Sequence, residues 1–322
     1  MDLKGLRLYL AVLEHGSITK ASESVRVAQP ALGLHIRKLE EELGLSLLER
    51  HSRGIRATEA GSLLAKHAEV LLRYADEARL ELTSYAKVPS GHVSIGLTPS
   101  AREAVAVELV DRVSRDLPEV QLTVKEALSE MLVEYLLSFR VDAALVYNAR
   151  EGGDQLIFEP LATESMYFVY PLSEGTRDGD TITLAEVMQH RLILPTRPHL
   201  VRTEMDRLAA NIGASPHIVH EIDSMAAIRD FVSRGLGCSV MPRGALANSA
   251  YKETMGSQLV VEPQIKRILH LAYSRRRSIS KAFSAAVDAL RAVVEAERSR
   301  PDGQWQRLET QTRVTRPLAD LE

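Results

Sequence analysis

The stretch Leu10–Gly61, LAVLEHGSITKASESVRVAQPALGLHIRKLEEELGLSLLERHSRGIRATEAG, decides how the first part of the chain folds. It reads as two short helices joined by a tight turn and followed by a basic wing, the shape of a helix-turn-helix DNA reader. Ser17 is placed to cap a helix over Ile18–Val25, its hydroxyl accepting from a backbone N–H that the first turn leaves unpaired. Ala21 and Val25, four apart, face inward. The second helix opens at Gln29-Pro30, where proline's fixed φ suits a first turn and its missing N–H costs nothing. Leu32, Ile36, Leu39 and Leu43 form its buried stripe, and Gly44 suits a left-handed cap.

The opposite face of that second helix carries Gln29, Pro30, Gly33, Leu34, Arg37 and Lys38. A glutamine amide fits an adenine edge, and arginine or lysine reads guanine or holds phosphate, so one helix both positions and specifies. Ser17 and Thr19 join this DNA-contacting set. Past Gly44, Leu47 and Leu48 alternate with Arg50, Arg53 and Arg56 around the turn residues Ser52 and Gly54, a wing suited to backbone phosphates.

In this segment the chain resembles the LysR-type transcriptional regulators. The matching residues are Gly16-Ser17-Ile18-Thr19, Ala21, Gln29-Pro30-Ala31, Ile36, Leu39-Glu40, Leu43-Gly44, Leu47, Arg50, Arg53, Thr58 and Ala60-Gly61. That many matches in order over about 50 residues far exceed a lone motif. The sequence departs from the family's habit at Ile18, Ala28, Gly33, His35 and Leu48. Ala28 removes a cap oxygen and Gly33 removes a side chain from the reading face, so DNA binding follows from the resemblance more safely than any base assignment.

The whole chain limits the alternatives. Its 322 residues suggest two or three domains, and 45% apolar with 26% charged residues is ordinary for a soluble globular protein. The net charge of −3 means that any nucleic-acid footprint is local. Residues 1–58 hold nine Lys and Arg against seven Asp and Glu, with the wing arginines clustered. The one cysteine, Cys238, excludes an intrachain disulfide and fits a reducing compartment. No apolar run approaches the roughly 20 residues of a membrane span, so a cytoplasmic protein is expected.

Taken in order, residues 3–15 form an opening helix with Leu3, Leu6, Leu10 and Leu13 on one stripe. After the winged domain (1–58), residues 59–87 read as one long linker helix. Gly61, Ala68, Ala75 and Leu82 form one series at a period of seven and Leu64, Leu71, Ala78 and Tyr85 a second, which predicts a dimer seam. The alternative is that the helix packs on its own domain. From Val88 onward, strand-like and helix-like segments alternate, which predicts a parallel twisted sheet covered on both faces. The expected fold is α/β with an all-α winged helix-turn-helix N-terminal domain, a long linker helix, and a two-lobed α/β effector domain over 88–298. The resemblance implies that this last domain is similar to periplasmic binding proteins, with lobe I at 92–161 and 268–298 and lobe II at 162–267. Residues 299–322, polar with two prolines, read as a mobile tail.

In open α/β sheets, ligands sit beyond the carboxyl ends of strands, where helix N-termini converge. The residues there are Thr98, Pro99 and Ser100, then Ser129, Tyr147 and Asn148, and in the second lobe Thr196, Arg197, Asp223 and Ser224. Hydroxyls and free N–H groups at helix starts favour an anion and Arg197 offers a carboxylate clamp, so a small, anionic metabolite effector is expected. Serines and threonines in these places are equally ordinary helix caps. No metal site is expected, since the ten histidines lack paired spacings, and no cofactor, since no phosphate or dinucleotide loop appears. An enzyme would have to use acidic groups such as Glu126, Asp142 and Asp223, with no recognisable nucleophile–base pair. Arg275-Arg276-Arg277 reads as solvated surface. The resemblance implies a sequence-specific, ligand-responsive regulator, with double-stranded DNA, RNA polymerase and further copies of itself (a dimer of dimers) as partners; the rival reading is a constitutive DNA binder with no ligand.

Overall fold

A computed structural model describes residues 1–51, 54–83, 88–148, 155–246, 251, 253–277, 279–300 and 303–308, with the backbone alone at 50, 77 and 79–83. The chain divides into two compact units, Met1–His92 (grouped with Ser138–Arg140) and the remainder from Val93 onward.

In the first unit α1 (Leu3–His15), α2 (Ile18–Ser24) and α3 (Gln29–Leu43) precede a two-stranded antiparallel wing, β1 (Leu48–His51) and β2 (Gly54–Ala57). The Asp2 carboxylate caps α1 by accepting from Gly5 N at 2.6 Å, and Ser17 caps α2 by accepting from Lys20 N. Ala28 gives α3 no side-chain cap, Pro30 stands in its first turn, and Gly44 closes it at φ 67°. Tyr9, Val12, Ala21, Leu32, Ile36, Leu39 and Leu47 make the core. Two apolar stripes differ from expectation at their ends: Leu3, the first residue of α1, is 46% and Leu43, the last of α3, 38% exposed. In α1 the buried line is Leu8, Tyr9 and Val12, with Leu6 turned toward the linker helix.

That linker helix, α4 (Glu59–Thr83), belongs to the first unit. Thr58 Oγ1 accepts from Gly61 N at its start and donates to Ser46 O. Three positions of the proposed seam, Gly61, Leu64 and Ala68, are already occupied within the chain. A Cβ at Gly61 would stand 2.0 Å from Leu47 O and 2.5 Å from the Tyr9 hydroxyl, so this glycine admits its own domain. Leu64 and Ala68, with Leu72, pack on Leu6 and Leu10 of α1. Leu63, Leu71 and Ala78 stay exposed. Leu82, as a side chain, and Tyr85 fall outside the described residues.

In the second unit, lobe I consists of β3 (Gly91–Leu97), α5 (Pro99–Asp116), β4 (Val120–Glu126), α6 (Ser129–Leu137) and β5 (Ala143–Tyr147). The 16-residue β6 (Leu156–Pro171) then runs through both lobes. Lobe II adds β7 (Thr181–Thr183), α7 (Leu184–Val187), β8 (Leu192–Leu194), α8 (Leu200–Asn211), β9 (Ile218–Glu221), α9 (Met225–Ser233), β10 (Ser239–Pro242) and β11 (Met255–Val261). Finally β12 (Lys266–Ser274) and α10 (Lys281–Arg298) return to lobe I.

The sheet order is β4-β3-β5-β12-β6-β11-β7, with β10 also on β6. It is mixed rather than parallel: β3 and β5 run parallel, but β12 is antiparallel to both β5 and β6, and β11 and β10 are antiparallel to β6. The returning β12 and the lobe-crossing β6 impose this, since they arrive by direct crossing rather than by a crossover helix. Along β6, pairing with β12 ends at Ser165 and pairing with β10 begins at Met166, so the lobes meet there. Lobe I packs Val93, Ile95, Leu97, Val105 and Leu109 against Phe283, Leu290 and Val294 of α10, and lobe II is built on Met166, Phe168, Leu192, Leu194 and Met205.

The tail expectation fails at one place. Trp305 and Gln306 form β13, antiparallel to β6 opposite Glu164 and Thr163, and Trp305 is 2% exposed. Its indole is buried as no solvated tail residue is. Arg277 also departs from expectation: it is buried against Asp142, whose carboxylate accepts from Ser94 N at 2.6 Å. Residues 301–302 and 309–322 lie outside the described set.

Candidate functional site

Two arrangements carry chemistry. On α3, Gln29, Pro30, Leu34, Arg37 and Lys38 are exposed together, while Gly33 is half-buried with no atom within 4 Å of where a Cβ would stand. Thr19 is exposed on α2, and Ser17 is half-buried in its capping role. On the wing Arg56 is exposed; the Arg50 side chain and all of Arg53 fall outside the described residues.

The second arrangement is a cleft between the lobes of the second unit. The starts of four helices reach it: Thr98, Pro99 and Ser100 at α5, Leu128, Ser129 and Glu130 at α6, His199 and Leu200 at α8, and Met225 at α9. Leu200, Val201, Ile222, Met225, Ile228, Val240 and Met241 give lobe II's wall an apolar character.

The floor is a buried polar network. The Arg267 guanidinium, on β12, donates to Glu164 and, at 2.7 Å, to Ser100 Oγ, and it lies 3.6 Å over the Tyr147 ring. Burial opposes its charge, but Glu164 outweighs that and holds the guanidinium more firmly protonated. Tyr147 Oη donates to Glu164 Oε1 at 2.9 Å, and burial followed by the Glu164 charge drives the phenol pKa well up. Ser129 Oγ accepts from Tyr147 N at 3.0 Å. The hydroxyl of Thr98, only 4% exposed, has no hydrogen-bond partner, a donor waiting for an acceptor. At the mouth Asp223 accepts from the Thr196 N–H and hydroxyl at 2.8 and 2.7 Å, bonds that lower its pKa. His199 Nδ1 accepts from Val201 N, and burial followed by the Arg267 charge keeps its pKa low, so the ring is neutral. A bidentate ion pair joins the two lobes: Arg229 of α9 donates to Glu103 of α5 at 2.9 and 3.1 Å and to Ala245 O at 3.1 Å.

Of the ligand-site residues expected from sequence, Thr98, Pro99, Ser100, Ser129, Tyr147 and Asp223 line this cleft. Four do not. Asn148 Oδ1 accepts from Ile268 N, Thr196 is spent on Asp223, and Ser224 caps α9 through Ala227 N. Arg197 pairs with Asp206 at 2.7 Å on the surface, so the expected carboxylate clamp is elsewhere engaged. Arg267 and His199 were missed. The segment Ile265–Leu271 places Arg267 beside Lys266 and near His270, so nothing in the sequence set it apart. Of the acidic groups an enzyme would need, Asp142 is consumed by Arg277 and Glu126 pairs with Arg102.

Residues 3–62 match the family profile for the bacterial regulatory helix-turn-helix protein of the lysR family, and residues 86–295 match the LysR substrate binding domain. The chain belongs to the LysR family. It is similar to the nitrogen assimilation regulatory protein nac of Klebsiella aerogenes, 31% identical over 297 residues that cover 91% of this chain and 95% of that one. It is also similar to a hydrogen peroxide-inducible genes activator of Dickeya chrysanthemi, 25% identical with 90% and 95% covered. Among solved structures, full-length CbnR complexed with its target DNA superposes with a TM-score of 0.68 at 21% identity, covering 91% of this chain and all of that one. As a LysR-type transcriptional regulator the chain is a DNA-binding protein with an effector-binding domain, not an enzyme. Among the described residues no group of three or more His, Cys, Asp or Glu is placed to hold a metal ion, and no helix is long and apolar enough to cross a membrane.

Proposed function

We propose that this LysR regulator reads promoter DNA in the cytoplasm as a dimer, or as a dimer of dimers that contacts RNA polymerase, and that a small molecule in the inter-lobe cleft governs the grip. On the DNA side, Gln29, Pro30, Gly33, Leu34, Arg37 and Lys38 face the major groove while Ser17, Thr19 and the wing arginines Arg50, Arg53 and Arg56 hold phosphate. The similarity to a DNA-bound regulator supports this docking. The exposed Leu63, Leu71 and Ala78 line left over on α4 supports pairing of two copies.

The observation that carries the effector reading is the buried, partnerless Thr98 hydroxyl in an apolar-walled cleft reached by four helix N-termini. Those N-termini favour one negative charge at the floor, where the Arg267 charge is already balanced by Glu164. Glu130 and Asp223 at the mouth disfavour a second. The effector is therefore a small monoanion, such as a carboxylate, with an apolar body. An intrachain disulfide is unavailable as the signal, because Cys238 is the only cysteine. Burial, with the Glu174 charge, also pushes its thiol up to about 11.

The test is a thermal-shift titration of the full chain with small monocarboxylic acids and their neutral amides. Acids that bind should stabilise by about 2.7 kcal/mol at 100 times Kd, and the amides by less. No shift from any acid, together with a promoter footprint unchanged by metabolite extract, would establish the constitutive reading instead.

A further inference from the structure

The C-terminal segment Gln304–Trp305–Gln306 touches three parts of the effector domain at once. Gln304 Nε2 donates to Ser100 O at the start of α5, in lobe I, at 3.3 Å. Trp305 Nε1 donates to Tyr147 Oη at 3.1 Å and to Glu164 Oε1 at 3.2 Å, the two groups that hold Arg267. Gln306 Oε1 accepts from the Ser165 hydroxyl at 3.3 Å, where β6 passes between lobes. On the lobe II side, Gly244 packs so closely on Gln304 that a Cβ there would stand 1.6 Å from Oε1 and 2.7 Å from Cδ. Trp305 is the chain's only tryptophan and lies behind the cleft floor, not in the lining.

We infer that this segment is a strap across both lobes, and that Trp305 is a positioning residue for the effector cleft. Glu164 is fully buried and must satisfy Arg267, Tyr147 and the indole together. Each donor fixes the carboxylate's rotamer for the other two. Removing the indole N–H releases the Tyr147 phenol and lets the carboxylate turn, and Arg267 follows it. The strap thus presets the guanidinium and the Ser100 hydroxyl to which it donates. The inference rests on the cleft being the effector site, but the geometry it predicts can be read without any ligand.

The experiment is hydrogen–deuterium exchange by mass spectrometry on the full chain, comparing wild type with Trp305→Phe, Trp305→Leu and Gly244→Ala. Trp305→Phe keeps an aromatic plug and the β13 backbone pairing but lacks the N–H. We expect it to preserve protection at 160–166, which β13 pairs directly, yet to speed exchange about tenfold or more at 94–101, 143–148 and 264–270, which β13 does not touch through its backbone. Gly244→Ala should give the same pattern at 94–101 by displacing Gln304. Trp305→Leu should add loss at 160–166. The inference is overturned if Trp305→Phe matches wild type throughout, if acceleration is confined to 160–166 and the strap, or if it is uniform across the effector domain, as for a plain core residue. None of these outcomes depends on whether a carboxylate binds.

Discussion

The ion pair between Glu103 and Arg229 offers a measurable handle on the contact between the lobes. Arg229 is about 10% and Glu103 21% exposed, with Nη2 donating to Oε1 at 2.9 Å and Nη1 to Oε2 at 3.1 Å. At an effective dielectric constant of about 20 and a charge separation of roughly 3.5 Å the attraction is at most about 4–5 kcal/mol, and desolvating two largely buried ions returns much of it. A coupling energy of about 1–2.5 kcal/mol is the expected remainder. Arg229→Ala alone should cost more, about 3 kcal/mol, because it also strips a donor from Ala245 O and leaves Glu103 uncompensated. The assay is a double-mutant cycle on Glu103→Ala, Arg229→Ala and the pair, by urea unfolding read through Trp305 emission. As the only tryptophan, in the second unit, it reports that unit alone. Unchanged m values are required, because opened lobes would lower m. Additive single changes, with coupling below about 0.5 kcal/mol, would refute the view that this pair ties the lobes.

Other consequences are equally direct. Arg277→Met should cost about 3–5 kcal/mol by stranding the buried Asp142, and adding Asp142→Leu should recover only part of it in the same urea assay, because the Ser94 N–H then loses its acceptor. Gly61→Ala forces a methyl against the Leu47 carbonyl and should destabilise the DNA-binding unit by about 1–3 kcal/mol, seen as lost protection from exchange across residues 3–47 with the effector domain unchanged. Burial lowers the pKa of His190, His199 and His270. Each therefore costs no stability above its ordinary value near 6.5, and the unfolded chain takes up the extra protons below it. Thermal stability should fall as pH drops from 7.5 to 5.5, and His199→Gln should flatten that slope. Gln29→Ala should relax base preference at a single operator position by about 1–3 kcal/mol in a binding-site selection, leaving the salt dependence as it was.

The first unit was legible because its signals are local. Gly16-Ser17, Gln29-Pro30 and Gly44 mark helix ends within a few residues of what they cap, and the structure starts α2 at Ile18 and ends α3 at Leu43. What the sequence hid is long-range. Arg267 meets Ser100 across 167 positions, and Trp305 meets Tyr147 across 158. No periodicity spans such distances, and in a polar tail one indole was outweighed by its neighbours' composition. Gly61 shows the converse failure: a small residue at the right spacing was assigned to a partner copy, whereas the Leu47 carbonyl of its own domain fills the space.

If the cleft is the effector site as proposed, these long-range contacts give a ligand there a route to the lobe crossing. A continuous 16-residue strand of about 50 Å crosses both lobes as β6, so the lobes cannot swing on a loose linker. Opening or closing must bend that strand where its pairing changes from β12 to β10, at Ser165 and Met166. Glu164, one residue away, is tied to Arg267, Tyr147 and Trp305, and Arg267 is tied to Ser100 beneath the cleft. A ligand acceptor drawn to the Thr98 hydroxyl two residues from Ser100 therefore pulls on the same buried carboxylate that stiffens the bending point. The energy available for that pull is only the difference between its affinities for the bent and straight arrangements. A ligand held solely by the apolar wall of lobe II would bind without moving the strand.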